Sequence, residues 1–306
     1  MAKIVECIPN FSEGQDKAKI QQLVETAKSI PGVMLLDYSS DPAHNRSVFT
    51  LAGDPDGIAE AAFKLCKTAS ELIDMTKHSG EHPRMGATDV IPFVPLQDMS
   101  IDEAVALSKN VAERIWNELR IPSFLYEESA TDPARKNLAK VRKGQFEGMQ
   151  EKLLHDEWKP DFGERKIHLT AGISAIGARF PLVAFNVNLS TSDIGIANSI
   201  AKTIRGSSGG YKHCKAIGVL LEERNIAQVS MNMVNYEGTP LYRVFEAIRA
   251  EAKRWGVSII GSEIIGLTPA KALIDCAEYY LQIEEFDYNN QILENHLMNT
   301  HSNSEE

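Results

Sequence analysis

The sequence has little that would direct the chain to a membrane, to secretion or to nucleic acid. It contains no apolar run of about 18 residues, the length that a membrane-spanning helix requires. Its first residues, MAKIVECIPNF, lack the charged and long apolar segments of a secretion signal. The net charge of −10 disfavours general binding to nucleic acid. We therefore expect a cytoplasmic protein that binds neither membranes nor nucleic acid.

Cysteine is also scarce. The four cysteines among 306 residues are far apart and form no CxxC pair. This spacing favours reduced thiols in a cytosolic protein and matches no zinc-site pattern, so we predict no metal. With 43% hydrophobic residues, the chain is long and apolar enough to bury a sizeable core in one or two domains.

The first half of the chain predicts a βαββαβ unit. KIVECIPNFSEG begins with a short strand and is expected to turn at its Asn-Phe-Ser-Glu-Gly cluster. The helix that follows has Ile20, Leu23, Val24 and Ala27 on one face. Two strands, VMLLDYSS and NRSVFTLAG, come next. A second helix opens near Asp56, and DVIPFVPL closes the unit as a strand. This order is the split βαβ arrangement.

The second half repeats the same order of elements. Its strands are LVAFNVNLSTS, the pair within KAIGVLLEERNIAQVSMNMVNYEG, and VSIIGSEIIG; its helices are DIGIANSIAKTIRG and LYRVFEAIRAEAKRWG. We predict the α/β (α+β) class, with two similar ferredoxin-like βαββαβ subdomains at residues 1–178 and 179–306. A helix-rich segment, about residues 101–160, follows the first βαββαβ repeat and precedes the second, within residues 1–178. The polar tail after Asn289 is expected to be frayed.

The strands of the second half alternate between apolar and neutral polar residues. In FNVNL the apolar residues face one way and the two asparagines the other, and QVSMNM alternates in the same manner. Helices cover only one face of a split βαβ sheet, so the polar face is either solvated or used for binding. We predict that the open faces of the two subdomains form a substrate groove, since small-molecule sites concentrate in clefts between domains.

The loop GEHPRMGATDV, residues 80–90, places His82 between an acid and a proline–arginine pair. Pro83 restricts His82 to an extended backbone, and a histidine on a loop is suited to accept a proton near neutral pH. Arg84 is able to hold a carboxylate through two parallel hydrogen bonds. The alternatives are a histidine that caps a turn and an arginine that pairs with Glu81 or Asp89.

Four motifs together resemble the formiminotransferase family. They are IVECIPNFSEG, GEHPRMGATDV, AFNVNL and, near the end, IIGSEIIGLTPAKAL, and the match runs from about residue 3 to about residue 285. The resemblance implies transfer of a formimino group from N-formimino-L-glutamate to N5 of tetrahydrofolate, a one-carbon step of histidine breakdown. It further implies tetrahydrofolate as a co-substrate, small-molecule partners and a homodimer.

The resemblance gives His82 the role of catalytic base. The chemistry agrees, because the attacking amine must lose a proton after it adds to an sp² carbon. Arg84, Asp37 and Asp41 are the candidates for substrate binding. Relatives carry an acidic residue two positions after the strand-end aspartate, where this chain has Ser39, so Asp41 is the candidate to supply that carboxylate. The alternative for Asp41 is a turn-forming aspartate before Pro42.

The resemblance places the folate-contacting loop at Gly163 to Gly172, within DFGERKIHLTAG. The candidate residues are Gly163, Glu164, Arg165, Lys166, Ile167, His168, Leu169, Thr170, Ala171 and Gly172. The alternative is an exposed loop with two solvated cations.

A basic run, RKNLAKVRKG, is a further candidate for binding the folate tail. It contains Lys140, Arg142 and Lys143 in a protein of net charge −10. A solvated helix face is the alternative. Two other functions stay open: a donor that is N-formylglutamate, which differs by one atom, and a folate-binding module without catalysis.

Overall fold

The computed structural model describes residues 3–296. The chain divides into two compact units, of which the first ends at Arg179 and the second begins at Phe180. Within the described residues, no helix is long and apolar enough to cross a membrane. In the described part of the tail predicted to fray, Asn295 Nδ2 donates a hydrogen bond to the Tyr288 carbonyl at 2.8 Å. The rest of that tail lies outside the described residues.

From residue 3 onward, the first unit carries seven strands on one sheet and five α-helices. Its strands are β1 (Ile4–Cys7), β2 (Asn10–Phe11), β3 (Val33–Asp41), β4 (Arg46–Gly53), β5 (Thr88–Gln97), β6 (Ser123–Leu125) and β7 (Ser174–Ala178). Its helices are α1 (Lys17–Lys28), α2 (Pro55–Leu72), α3 (Ile101–Leu119), α4 (Leu138–Arg142) and α5 (Gln145–Lys152).

The sheet of the first unit has the predicted βαββαβ order. The interrupted strand β1–β2 lies between β4 and β5, and β3 pairs with the outer edge of β4. Strands β7 and β6 extend the sheet beyond β5 by parallel pairing. These two strands were not predicted, because they fall in and just after the segment expected to be helical.

Helices α1 and α2 begin where aspartate side chains satisfy free backbone amides. Asp16 accepts from Ala18 N and Lys19 N, and Asp54 accepts from Gly57 N. The apolar face of α1, predicted from its spacing, is buried in the core together with the matching face of α2. The cysteines are all free thiols, and Cys7 and Cys66 are buried in this core.

The second unit has a four-stranded sheet in the order β11-β8-β10-β9. Its strands are β8 (Val183–Leu189), β9 (Cys214–Leu221), β10 (Ile226–Met233) and β11 (Ile259–Ile265), and its helices are α6 (Ile194–Ile204), α7 (Leu241–Arg254), α8 (Ala270–Leu281) and α9 (Tyr288–Gln291). The first strand therefore lies beside the last, as a ferredoxin-like unit requires. The predicted βαββαβ order is confirmed in both units.

The predicted alternation along β8 and β10 is confirmed. Val187 and Leu189 are buried in the core of the second unit, whereas the amides of β8 point the other way. There, Gln228 Nε2 donates to Asn188 Oδ1 at 2.8 Å and to Glu263 Oε1 at 2.6 Å. The neutral face is thus a connected hydrogen-bond network that includes one carboxylate.

Candidate functional site

The histidine loop lies between the end of α2 and the start of β5, and its two glycines allow close packing. A Cβ on Gly80 would lie 2.5 Å from the His44 carbonyl oxygen, and one on Gly86 would lie 2.3 Å from the Ile173 carbonyl oxygen. Neither glycine has a positive φ. Both are therefore needed for contact with neighbouring backbone, and this contact fixes the loop that carries His82.

His82 is a partly buried ring surrounded mainly by positive charge. Its Nε2 contacts Arg46 Nη1, and its ring centroid is 6.2 Å from that of His44. Burial, followed by the charges of Arg46 and Arg142, lowers the pKa of His82 to about 4, although Asp89 acts in the opposite direction. The ring is consequently neutral at physiological pH, so one of its two nitrogens carries a lone pair.

Arg84 is buried, and all five of its N–H groups have partners. Its Nε donates to His78 Nδ1 at 3.1 Å, and one Nη2 bond reaches the His78 carbonyl at 3.0 Å. The two terminal nitrogens form a fork on Glu147, at 2.9 and 2.6 Å, and Nη1 also donates to Gln145 Oε1. This ion pair lowers the pKa of Glu147. Arg84 therefore ties the histidine loop to α5, and its ion-pair partner is neither Glu81 nor Asp89.

Two further arginines approach His82 from opposite sides. Arg46, the first residue of β4, contacts His82 and also Asn10 Oδ1. Nη2 of Arg142, the last residue of α4, lies 2.5 Å from Asp89 Oδ2 in an ionic contact. Asp89 is itself buried and accepts from Met85 N at 3.0 Å. Burial and Arg142 lower the pKa of Arg46 to about 10, so it stays charged at neutral pH.

A cavity of about 450 Å³ opens beside His82 within the first unit. It is lined by His82, Pro83, Ala139, Lys140, Arg142, Lys143, Gly144 and Gln145. The basic run found in the sequence therefore forms one wall of the space next to the predicted catalytic histidine. A space of this size is within the usual range for small-molecule sites.

The two aspartates expected near the substrate lie on β3 and are exposed. Asp37 pairs in register with Thr50 beside a bulge in the strand. Asp41 accepts from Ala43 N at 2.8 Å and from His44 N at 3.0 Å, as a turn-forming aspartate does. Its other oxygen lies 2.7 Å from His44 Nδ1, and these bonds lower the pKa of Asp41. Asp41 thus orients His44 rather than touching His82.

The segment predicted to bind folate runs along the histidine loop. Ala87 N donates to the Ala171 carbonyl and Ile173 N to the Met85 carbonyl. Gly172 has a φ of +71°, and a Cβ there would lie 2.2 Å from the Met85 carbonyl oxygen. This glycine therefore makes room for the backbone of the histidine loop.

Within the segment from Gly163 to Gly172, some side chains contact other parts of the first unit and others are exposed to solvent. Ile167 packs against a buried cluster, and the His168 ring accepts from Ala171 N. Arg165 pairs with Asp156 at the surface. The exposed side chains are Glu164, Arg165, Lys166 and Leu169.

Four residues of the site were missed from the sequence: Asn10, Arg46, Asp89 and Glu147. Arg46 and Asp89 each begin or precede an apolar strand segment, and a charged residue within a buried strand is the signal that would have identified them. Glu147 lies 63 residues from its partner Arg84, and sequence spacing carries no trace of this pair. Among residues 3–296 there is no group of three or more potential metal-ligating side chains.

Comparisons with known proteins agree with the motifs. The model of the N-terminal subdomain of the formiminotransferase domain matches residues 4–179, and the model of the formiminotransferase domain matches residues 184–298. A glutamate formimidoyltransferase of Streptococcus pyogenes serotype M1 is 72% identical over 97% of this chain and 100% of its own length. One from Thermoplasma acidophilum is 47% identical over 94% of this chain and 95% of its own length.

Longer relatives match as well. A formimidoyltransferase-cyclodeaminase of Rattus norvegicus is 43% identical over 93% of this chain, which covers 54% of that protein. The resemblance predicted from the four motifs is therefore confirmed. The chain belongs to the formiminotransferase family.

Proposed function

We propose that this chain is a glutamate formimidoyltransferase, an enzyme that transfers the formimino group from N-formimino-L-glutamate to N5 of tetrahydrofolate. The products are 5-formiminotetrahydrofolate and L-glutamate, and the step belongs to histidine degradation. The proposal is supported by the names of relatives that are 72% and 47% identical over nearly the full chain. Tetrahydrofolate is a co-substrate in this reaction, and we propose that no metal takes part in it.

The observation that carries the proposal is a neutral histidine on the wall of a cavity lined with cations. N5 of tetrahydrofolate attacks the formimino carbon, and a new N–C bond forms while N5 loses its proton. His82, uncharged because its pKa is lowered to about 4, accepts that proton. The bond from the carbon to the glutamate nitrogen then breaks, and this nitrogen leaves as an amine after it gains a proton.

The fixed position of the His82 loop is part of the proposed mechanism. Pro83 and the Arg84–Glu147 fork hold the loop against α5, so the ring has little freedom to turn away from the cavity. The sequence predicts that Arg84 also holds a substrate carboxylate. For this to occur, the carboxylate would have to replace Glu147 on the guanidinium.

Folate is proposed to lie against the segment from Gly163 to Gly172, with its glutamate tail on the basic run. The support is that both features border the His82 loop, one through backbone hydrogen bonds and the other through the shared cavity. Lys140 and Lys143 are exposed and suited to pair with the tail carboxylates.

An assay of both donors tests the proposed function. The purified protein is incubated with tetrahydrofolate and either N-formimino-L-glutamate or N-formylglutamate, and the folate product is separated and identified. We expect turnover with the formimino donor and a kcat/KM at least about 10-fold lower with the formyl donor. Turnover with the formyl donor alone would reassign the substrate, and folate binding without turnover of either donor would make the chain a binding module.

We also propose a cytoplasmic homodimer. The support is an apolar surface on α8, where Leu273, Tyr279, Tyr280 and Leu281 are all largely exposed. Sedimentation is expected to give twice the 33.9 kDa of one chain. Replacement of Leu281, which is 71% exposed, by aspartate is expected to favour the monomer. A wild-type chain that sediments as a monomer at micromolar concentration would contradict the dimer.

A further inference from the structure

The surroundings of His82 hold more positive than negative charge. Arg46 and Arg142 both face the ring, and among the described residues the only carboxylate in contact with either of them is Asp89. Arg46 is partly buried, and a guanidinium withdrawn from water without a carboxylate partner is unusual, since buried charges are normally paired. In a chain of net charge −10, this local excess points to an anionic ligand group.

Two buried donors around the ring also lack acceptors. Arg46 Nε and Arg142 Nε are buried, and no described group accepts a hydrogen bond from them. Leaving a buried donor unpaired costs about 1–3 kcal/mol, so a group of them in one place requires an explanation. A ligand that carries acceptor oxygens provides one.

The contact between Arg46 and His82 fixes the tautomer of the ring. A guanidinium has only donors, so the Nε2 that it contacts must carry the lone pair and Nδ1 must carry the proton. The lone pair that a general base needs is therefore occupied by Arg46 in this structure. His82 cannot accept a proton at Nε2 until the guanidinium moves.

We propose that a carboxylate of the formimino donor binds between Arg46 and Arg142 and, in doing so, draws Arg46 away from His82 Nε2. This inference rests on the proposed function and adds a binding site to it. The donor is a glutamate derivative with two carboxylates, and a planar carboxylate matches the fork of a guanidinium better than an imidazole nitrogen does. Arg142 already borders the cavity beside His82, so the carboxylate has a route to the pair.

The electrostatic consequence favours catalysis. The charged or titratable groups around His82 come from several elements. They are Arg46 from β4, Arg142 from α4, Asp89 from β5, His44 from the turn after β3, and His78 and Arg84, which line the same small space. A bound carboxylate offsets the two guanidinium charges, which raises the pKa of His82 and makes it a stronger base. The donor thus activates the base only when it is in place.

Binding of L-glutamate, the proposed product, tests the site without any turnover. Titration calorimetry of the full chain compares Arg46→Gln and Arg142→Gln with Arg249→Gln, which removes the same charge from an exposed residue of α7. We expect the first two variants to weaken glutamate binding by about 10- to 100-fold, as expected for lost charged hydrogen bonds, and Arg249→Gln to leave it unchanged. Wild-type affinity in Arg46→Gln would overturn the proposal.

Nitrogen NMR of the histidine rings tests the release of Nε2. In the wild-type chain, saturating glutamate is expected to move the ¹⁵N resonance of His82 Nε2. In Arg46→Gln the resonance is expected to lie at the released position even without glutamate. A His82 signal that saturating glutamate leaves in place would overturn the proposed release.

Arg46→Lys is the conservative variant, because lysine keeps the positive charge and loses only the two-pronged hydrogen-bonding geometry of the guanidinium. It is therefore less prone to misfold than Arg46→Gln. It is expected to raise the KM for the formimino donor by about 10-fold and to change the KM for tetrahydrofolate much less. An equal rise in both would contradict the site. The glutamate-binding and KM measurements do not depend on whether His82 is the catalytic base. If Arg46 is needed for glutamate binding but His82→Ala stays active, His82 is not the base, and the proposed carboxylate site still stands.

Discussion

His82 differs from an ordinary loop histidine because its ring is partly buried between two guanidinium groups. The sequence places it correctly on a loop and predicts its neighbours Pro83 and Arg84. It does not reveal that Arg46 and Arg142, which lie 36 and 60 residues away along the chain, are close to the ring and lower its pKa. A sequence reading that starts from the ordinary pKa of about 6.5 therefore places the loss of activity at the wrong pH.

The pH dependence of kcat/KM follows from this shift. Because kcat/KM reports the free enzyme and the pKa of free His82 is lowered to about 4, activity is expected to fall with decreasing pH only below about pH 5. The proposed release of Arg46 raises this pKa in the substrate complex, so the corresponding fall in kcat is expected at a higher pH. Steady-state rates between about pH 3.5 and 8 measure both. A fall in kcat/KM centred near pH 6.5 would contradict the lowered pKa.

The order of strands and helices was predicted from the spacing of apolar residues, and both βαββαβ units are confirmed. The local pattern was sufficient for α1, whose face Ile20, Leu23 and Ala27 is buried as expected. It failed for β7, because SAIGA is short and has no alternation to distinguish it. The local pattern also could not predict that α5 packs against the histidine loop, because this contact depends on one ion pair between distant residues, Arg84–Glu147.

Replacing Glu147 with glutamine tests whether the Arg84–Glu147 ion pair holds the histidine loop against α5. The buried guanidinium of Arg84 would lose its counter-charge, so Glu147→Gln is expected to lower the free energy of unfolding by about 1–3 kcal/mol. A looser loop should also lower kcat. The control is Glu151→Gln, an exposed acid of the same helix, α5. Urea unfolding gives the free energy of unfolding, and initial rates give kcat. If Glu147→Gln cannot be distinguished from Glu151→Gln, the Arg84–Glu147 ion pair does not hold the loop.

The basic run forms one wall of the cavity, but its members differ. Arg142 is held by Asp89, whereas Lys140 and Lys143 are exposed. Replacing both lysines with glutamine is expected to weaken binding of polyglutamylated folate by roughly 2- to 10-fold more than binding of the monoglutamate, with a smaller gap at high salt. Lys17 and Lys28, exposed on α1, make a matched control pair. Equal effects on both folates would mean that the run is a solvated face.

Stability of the folded chain is expected to fall in mild acid. Burial lowers the pKa values of His78, His82 and His168, whereas all three titrate near 6.5 in the unfolded chain. Below about pH 6.5 the unfolded chain therefore binds more protons, and the free energy of unfolding decreases as the pH drops towards the lower folded values.

Substitution of His82 measures how much this residue contributes to the loss of stability in acid. In His82→Gln, the decrease between about pH 6.5 and pH 4.5 is expected to be smaller by roughly 1–2 kcal/mol, after allowance for partial exposure of the ring. Urea unfolding at several pH values measures it. An identical pH dependence in the variant and the wild type would show that His82 is not held neutral by the fold.

The rate of formimino transfer by His82→Ala decides whether His82 is the base. With N-formimino-L-glutamate and tetrahydrofolate at saturation, kcat is expected to fall by about 10²- to 10⁴-fold, the usual effect of losing a proton-transfer group. Glutamate binding and the circular dichroism spectrum are expected to stay close to those of the wild type, since the loss is confined to the transition state. A folded His82→Ala with near-normal kcat would contradict the account, and the base would then be sought at His44, which Asp41 already orients.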